Sequence, residues 1–184
     1  MGISLETPKK WVEFSLGLGA MPESSGSLTK LKELQPDHVV FKVFGEIDAL
    51  AGHDRACAIV AHGFLELLVN ILVEAKCKSG AKIVSRTRDF PHSVKLILLH
   101  EVGVIGDADL RALTSFRKLR NRAVHDARFQ LTSGDVEVFK NTSFATSEFH
   151  VQCMVVLAIL WNQNHKLFSE YFFPTIWGTT VKEA

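Results

Sequence analysis

The chain has little excess charge of either sign, few cysteines, one tyrosine and no long uninterrupted apolar run. Lys and Arg number 21 and Asp and Glu 20 among 184 residues, a net charge of +1. A globally basic coat for nucleic acid is excluded, so positive charge can matter only where it is concentrated locally. The cysteines, Cys57, Cys77 and Cys153, are odd in number, far apart and form no C-x-x-C. That excludes a disulfide framework and a cysteine zinc site, and it fits a reducing cytosol. The eight histidines are scattered without ligand spacing, so neither a metal nor a cofactor is expected. The opening residues lack the apolar core of a signal peptide, and Glu6 stands where a myristoylation signal at Gly2 needs Ser or Thr. The two most apolar stretches are Cys57–Ala75, which contains His62, Glu66 and Asn70, and the shorter Cys153–Trp161. Neither suits a bilayer crossing, which needs about 20 nearly uninterrupted apolar residues. The expectation is a cytoplasmic protein in which both stretches are buried helices.

What is present is an ordinary globular balance, 47% hydrophobic and 22% charged, without repeats or low-complexity tracts. Residues 1–45 read as an irregular extension with turn-forming Gly17, Gly19, Pro22 and Glu23–Ser27. Within it, a short helix from Ser27 is stopped by Pro36, and the β-branched and aromatic run Val39–Phe44 suggests a small strand. Residues 46–175 read as an antiparallel four-helix bundle, and 176–184 as a tail. The first long helix is expected over Asp54–Lys76, with Asp54 as its cap and Ile59, Val60, Phe64, Leu67, Leu68, Ile71 and Leu72 at helical spacing. Ala58, Ala61, Leu65, Val69 and Val73 widen the apolar surface nearly all round. His62, Glu66, Asn70 and Glu74 form the one polar stripe, read either as a solvent-facing or as a site-facing edge. A second helix is expected from Pro91 to about Val102, ended by Gly103. A third opens with Asp107 as cap and reaches at least Val124. A turn at Leu131–Asp135 leads to a last helix over about Thr146–Phe172.

The third helix concentrates the chemistry. Residues 111–128 hold six of the 21 basic residues, Arg111, Arg117, Lys118, Arg120, Arg122 and Arg128, against the single acid Asp126. Such a patch attracts phosphates, although a solvated helix face has the same composition. On a helical wheel Leu113, Phe116, Leu119, Ala123 and Val124 form one apolar sector, and Arg120 points into it. An arginine there needs an acid, a phosphate or a partner surface, because burying its charge unpaired costs several kcal/mol. Asn121 and His125 share a face at i and i+4, with Arg117 one turn earlier. Arginine offers forked donors for phosphate, and histidine exchanges protons near neutrality. Arg117, Lys118, Arg122 and Arg128 are candidate phosphate contacts beside this trio, and His62, Glu66 and Asn70 a candidate site-facing stripe.

Arg120-Asn121-Arg122-Ala123-Val124-His125 resembles the R-polar-x-x-x-H motif of HEPN-domain proteins. The context before it also resembles the family, in Lys95–Leu99, Gly103-Val-Ile, Asp109-Leu110, Leu113 and Arg117. A second block, Asp54–Val60 with Leu65-Glu66, is similar to the first helix of the mannitol-repressor-like branch of that superfamily. The resemblance covers roughly residues 50–165. It implies an all-α, four-helix, homodimeric protein, often a metal-independent ribonuclease whose two motifs face each other across a dimer cleft. It makes Arg120, Asn121 and His125 the catalytic residues: His125 as general base or acid at the ribose 2′-OH and leaving oxygen, Arg120 on the phosphate charge, Asn121 orienting. The products would carry 2′,3′-cyclic phosphate ends, and a toxin or defence role with an antitoxin partner would be in keeping.

The departures also carry information. HEPN toxins paired with nucleotidyltransferase antitoxins carry Tyr two residues after the His; here that residue is Ala127 and the one tyrosine is Tyr171. The mannitol-repressor-like branch implies instead a non-catalytic transcriptional regulator acting through protein contacts, since no helix-turn-helix reading segment is recognisable. A third alternative is structural, with Arg120 bonded across the dimer or to Glu66. Trp161, Phe168, Phe172 and Phe173 read as core or dimer surface, Cys57 and Cys153 as inert buried thiols, and Cys77 as a thiol flanked by Lys76 and Lys78.

Overall fold

The structure, a computed structural model, describes residues 39–137 and 148–172. Among the described residues every regular element is an α-helix: α1 Val39–Ala49, α2 Asp54–Lys76, α3 Gly80–Ser85, α4 His92–Glu101, α5 Asp107–His125, α6 Ser133–Glu137, α7 Phe149–Gln163 and α8 His165–Phe172. The protein is all-α, as expected. The short helix expected from Ser27, residues 138–147, Phe173 and the expected tail 176–184 lie outside the described residues. The described residues divide into two compact units, a larger one from Val43 to Leu157 and a second that includes Ala158–Phe172.

The larger unit is organised around α2, against which α3, α4 and α5 pack, with α4 also against α5. The bounds of α2, Asp54 and Lys76, are those expected. Asp54 in the first turn and Lys76 in the last both complement the helix dipole. The cap differs: His53 holds the N-cap position without a side-chain bond, and Asp54 is already helical. By length and composition alone α2 is apolar enough to cross a membrane, yet Cys57, Ala58, Ala61, Phe64, Leu65, Leu68, Val69, Ile71, Leu72 and Val73 are buried in the fold. Each Leu or Phe so buried contributes roughly 1.5–3 kcal/mol. Phe64, Leu68, Ile71 and Leu72 of the expected spacing are buried together with the widening set of Ala58, Ala61, Leu65, Val69 and Val73, whereas Ile59 and Leu67 are exposed. Cys57 and Cys153 are both fully buried, and burial, with the neighbouring Cys57 thiol, pushes the Cys153 thiol well above its ordinary range.

Several boundaries differ for identifiable reasons. Val39–Phe44 is the start of α1 rather than a strand; Phe44 and Ile47, three apart, are buried among its described side chains, so helical period overrides β propensity. α1 therefore runs across the expected boundary at residue 45. Pro91 sits at the N-cap of α4 rather than in its first turn, and Gly103, at φ 73°, follows the helix in the left-handed conformation that favours glycine. Gly106, not Asp107, is the N-cap of α5; its amide donates to the Asp109 carboxylate at 3.3 Å. The expected turn at Leu131–Asp135 is overlapped by α6, which starts at Ser133 and runs to Glu137. The single last helix is two, broken at Asn164, whose side-chain amide donates to the Leu160 carbonyl at 3.2 Å and so competes with the helical ladder. Around that break Trp161 stacks on Phe168 at 5.1 Å and on Phe172 at 5.6 Å, which makes these aromatics mutual packing partners.

Candidate functional site

α5 carries the site residues and is fixed at both ends. At its start Asp107 accepts from His100 on α4 at 2.7 Å. Leu113, Phe116, Leu119 and Ala123 are buried as the wheel requires, but Val124 is exposed, at 45%. Arg120 and Asn121 are half-buried, and the Arg120 guanidinium donates to the Asn121 amide oxygen at 3.1 Å. No described acid lies within ion-pair distance of Arg120, so the alternative pairing with Glu66 is not formed. His125 is exposed at the C-terminal end of the helix, one turn beyond Asn121 on the same face. The trio therefore lines a half-buried to exposed edge of α5.

The remaining basic residues separate into different environments. Arg122 is engaged: it pairs with Asp135 and donates to the Gln130 carbonyl at 3.1 Å. Burial raises the Asp135 carboxyl, but hydrogen bonds from Thr132 and Arg122 outweigh it and hold the group below its ordinary range. Lys118 and Arg128 are exposed. Arg117 is half-buried, with its Nε buried and lacking a partner.

Two arrangements were not legible in the sequence. The first is a clamp behind His125. Arg55, from the first turn of α2, donates to the Asp126 carbonyl, and the Arg55 and Arg122 guanidinium groups lie 5.8 Å and 5.7 Å from the centre of the Phe129 ring. The residue after His125 is thereby tied to α2. Long-range bonds of this kind leave no periodic signal.

The second is a cationic cluster among α2, α4 and α5. The His62 and His92 rings lie 4.9 Å apart, and His62 meets the edge of Phe116 at 5.9 Å. Lys95, only 2% exposed, donates to the Asn70 side-chain oxygen at 2.8 Å. Burial lowers the His62 imidazole to about 4, with the charges of Arg120 and Arg117 adding. Burial lowers His92 to about 3, followed by the effects of His62, Arg117, Lys95 and Arg120. The stripe on α2 thus faces inward at His62, is half-buried at Glu66 and Asn70, and emerges at Glu74. Sequence spacing marked His62 and Asn70, and Lys95 stood in the block that resembles the family, but His92 carried no signal and the meeting of these residues was not legible.

Among the described residues no three His, Cys, Asp or Glu side chains converge as a metal site. Comparison of the chain with family models, curated proteins and solved structures finds no match.

Proposed function

We propose that this protein is a HEPN-type endoribonuclease that acts as a homodimer, needs no metal, and cuts RNA in the cytoplasm. The observation that carries the reading is the disposition of α5. Arg120 and Asn121 are bonded to each other on its half-buried rim, Arg120 lacks an ion-pair partner among the described residues, and His125 is exposed one turn further on. An arginine without an acid is a receptor for a phosphodiester, and an exposed imidazole is accessible to a substrate hydroxyl.

The chemistry follows from those groups. His125 takes the proton from the ribose 2′-OH. The 2′-oxygen attacks phosphorus, the bond to the 5′-oxygen breaks, and the leaving oxygen takes a proton. The products are a 2′,3′-cyclic phosphate and a 5′-hydroxyl end. Arg120 donates to the non-bridging oxygens as charge builds on them. Asn121 holds the guanidinium through its amide oxygen. One chain supplies one such histidine, so a paired arrangement gives a second imidazole for the leaving oxygen; exposed Ile59 and Leu67 on α2 favour a second copy as neighbour.

The test is cleavage of a structured RNA by the purified dimer in excess EDTA, beside His125→Ala. Loss of cutting in the variant with the fold intact supports the reading. A folded dimer that cuts no RNA sinks it in favour of the mannitol-repressor-like regulator, for which the next measurement is capture of a protein partner that survives His125→Ala.

A further inference from the structure

The cluster at the junction of α2, α4 and α5 is chemically one-sided. It holds His62 from α2, His92 and Lys95 from α4, and Arg117 and Arg120 from α5. Among the described residues none of the five has an acid within ion-pair distance. His62 and His92 are 2% and 9% exposed, and neither nitrogen of either ring has a hydrogen-bond partner. The buried Nε of Arg117 also has none. Buried polar groups are normally satisfied, and buried cations are normally paired, because leaving either alone is costly. Lys95 and Arg120 are bonded only to the neutral amides of Asn70 and Asn121, so the junction gathers positive charge and unsatisfied imidazoles with no counter-anion among the described residues.

The backbone points the same way. α4 begins at His92, and no side chain caps it. The Val94 and Lys95 amides are taken by the Pro91 carbonyl, so the helix contributes through its dipole rather than through those two donors. The positive end of the helix dipole therefore adds to the side-chain charge at His92. Arg117, Arg120 and Asn70 are half-buried, so the cluster meets solvent along their edge.

We propose that His62, His92, Lys95, Arg117 and Arg120, with the uncapped first turn of α4, form a binding site for a phosphate-class oxyanion. Arg117 and Arg120 supply guanidinium donors to the tetrahedral oxygens, and the two imidazoles donate to it from within. The site shares Arg120 with the Arg120-Asn121-His125 trio, but His62, His92, Lys95 and Arg117 lie outside the trio, so phosphate binding through them is measured apart from RNA cleavage. Its ligand has two sources with the same chemistry, a free phosphate monoester or a phosphodiester of nucleic acid.

The experiment is calorimetric titration of the full chain with inorganic phosphate, at constant ionic strength in chloride. Saturable binding is expected, weakened about tenfold or more in Arg117→Gln and in His92→Leu, since each removes a charge-assisted donor. Lys82→Gln, which removes an exposed cation on α3, should bind as the parent does. Competition by a nucleoside monophosphate but not by a short oligoribonucleotide identifies a monoester as the natural ligand; the reverse identifies nucleic acid. The second readout uses the unaltered protein: the His62 and His92 ring-nitrogen NMR signals should move toward the protonated form as phosphate is added. The proposal is overturned by absence of saturable binding, by equal affinity in folded Arg117→Gln, or by imidazole signals that stay fixed at saturating phosphate.

Discussion

The imidazoles of His62 and His92 stand 4.9 Å apart, buried, with no hydrogen-bond partner on any ring nitrogen. Both are held neutral by burial and by the surrounding cations, at about 4 and about 3. A free histidine titrates near 6.5, so the unfolded chain takes up protons before the folded one does. The stability contributed by keeping these groups neutral is complete above the unfolded value and is lost as pH falls toward the folded values. Thermal or urea melts without phosphate should show stability declining from about pH 6.5 to 4, by up to about 1.4 kcal/mol per pH unit for each histidine. His62→Phe should flatten that slope. An unchanged slope would contradict the assignment.

Arg122 and Asp135 tie the end of α5 to α6. Arg122 is partly exposed, so the pair itself should couple by only about 0.5–1 kcal/mol in a double-mutant cycle. Arg122→Ala should nevertheless cost about 1–2 kcal/mol, because it also removes the bond to the Gln130 carbonyl and the contact with Phe129. Denaturant melts of Arg122→Ala, Asp135→Ala and the double variant decide this. Additive losses would show that the pair is not coupled.

Gly80 opens α3 hard against the end of α2. A Cβ there would run into the Val73 carbonyl oxygen and lie 2.5 Å from the Glu74 Cα, both backbone atoms. Gly80→Ala should therefore destabilise by more than about 2 kcal/mol, as overpacked substitutions do. Gly63→Ala, on an open face of α2, should be neutral to stabilising by up to about 1 kcal/mol. Comparable melting temperatures for the two variants would contradict this packing.

The three thiols should react at different rates. Cys57 and Cys153 are fully buried and the Cys153 thiol is raised by burial, whereas Cys77 is half-buried at the end of α2. Titration of the native protein with a chromogenic disulfide should modify Cys77 rapidly and the others only on unfolding. Fast modification of Cys153 in the native state would be inconsistent with the core around it.

Much of the helical frame was legible. The bounds of α2 follow from an apolar run framed by Asp54 and Lys76, and the buried residues Leu113, Phe116, Leu119 and Ala123 follow from the period of α5. Strong amphipathic or apolar periodicity over 19 to 23 residues leaves little alternative. The short helices α3 and α6 were missed, because five or six residues are too few to show a period. The break at Asn164 was missed because its cause is a side-chain bond, not a breaker residue. The Arg120-Asn121-His125 trio was visible as a spaced motif. The His62–His92 pair and the Arg55 clamp were not, because both depend on which helices meet.

The most direct test of the account is RNA cleavage by the purified protein in excess EDTA, with Arg120→Ala and His125→Ala alongside and all three shown to be folded. The account predicts cutting by the parent alone, with 2′,3′-cyclic phosphate ends. Cutting that survives in His125→Ala, or a folded parent that leaves RNA intact, would contradict it.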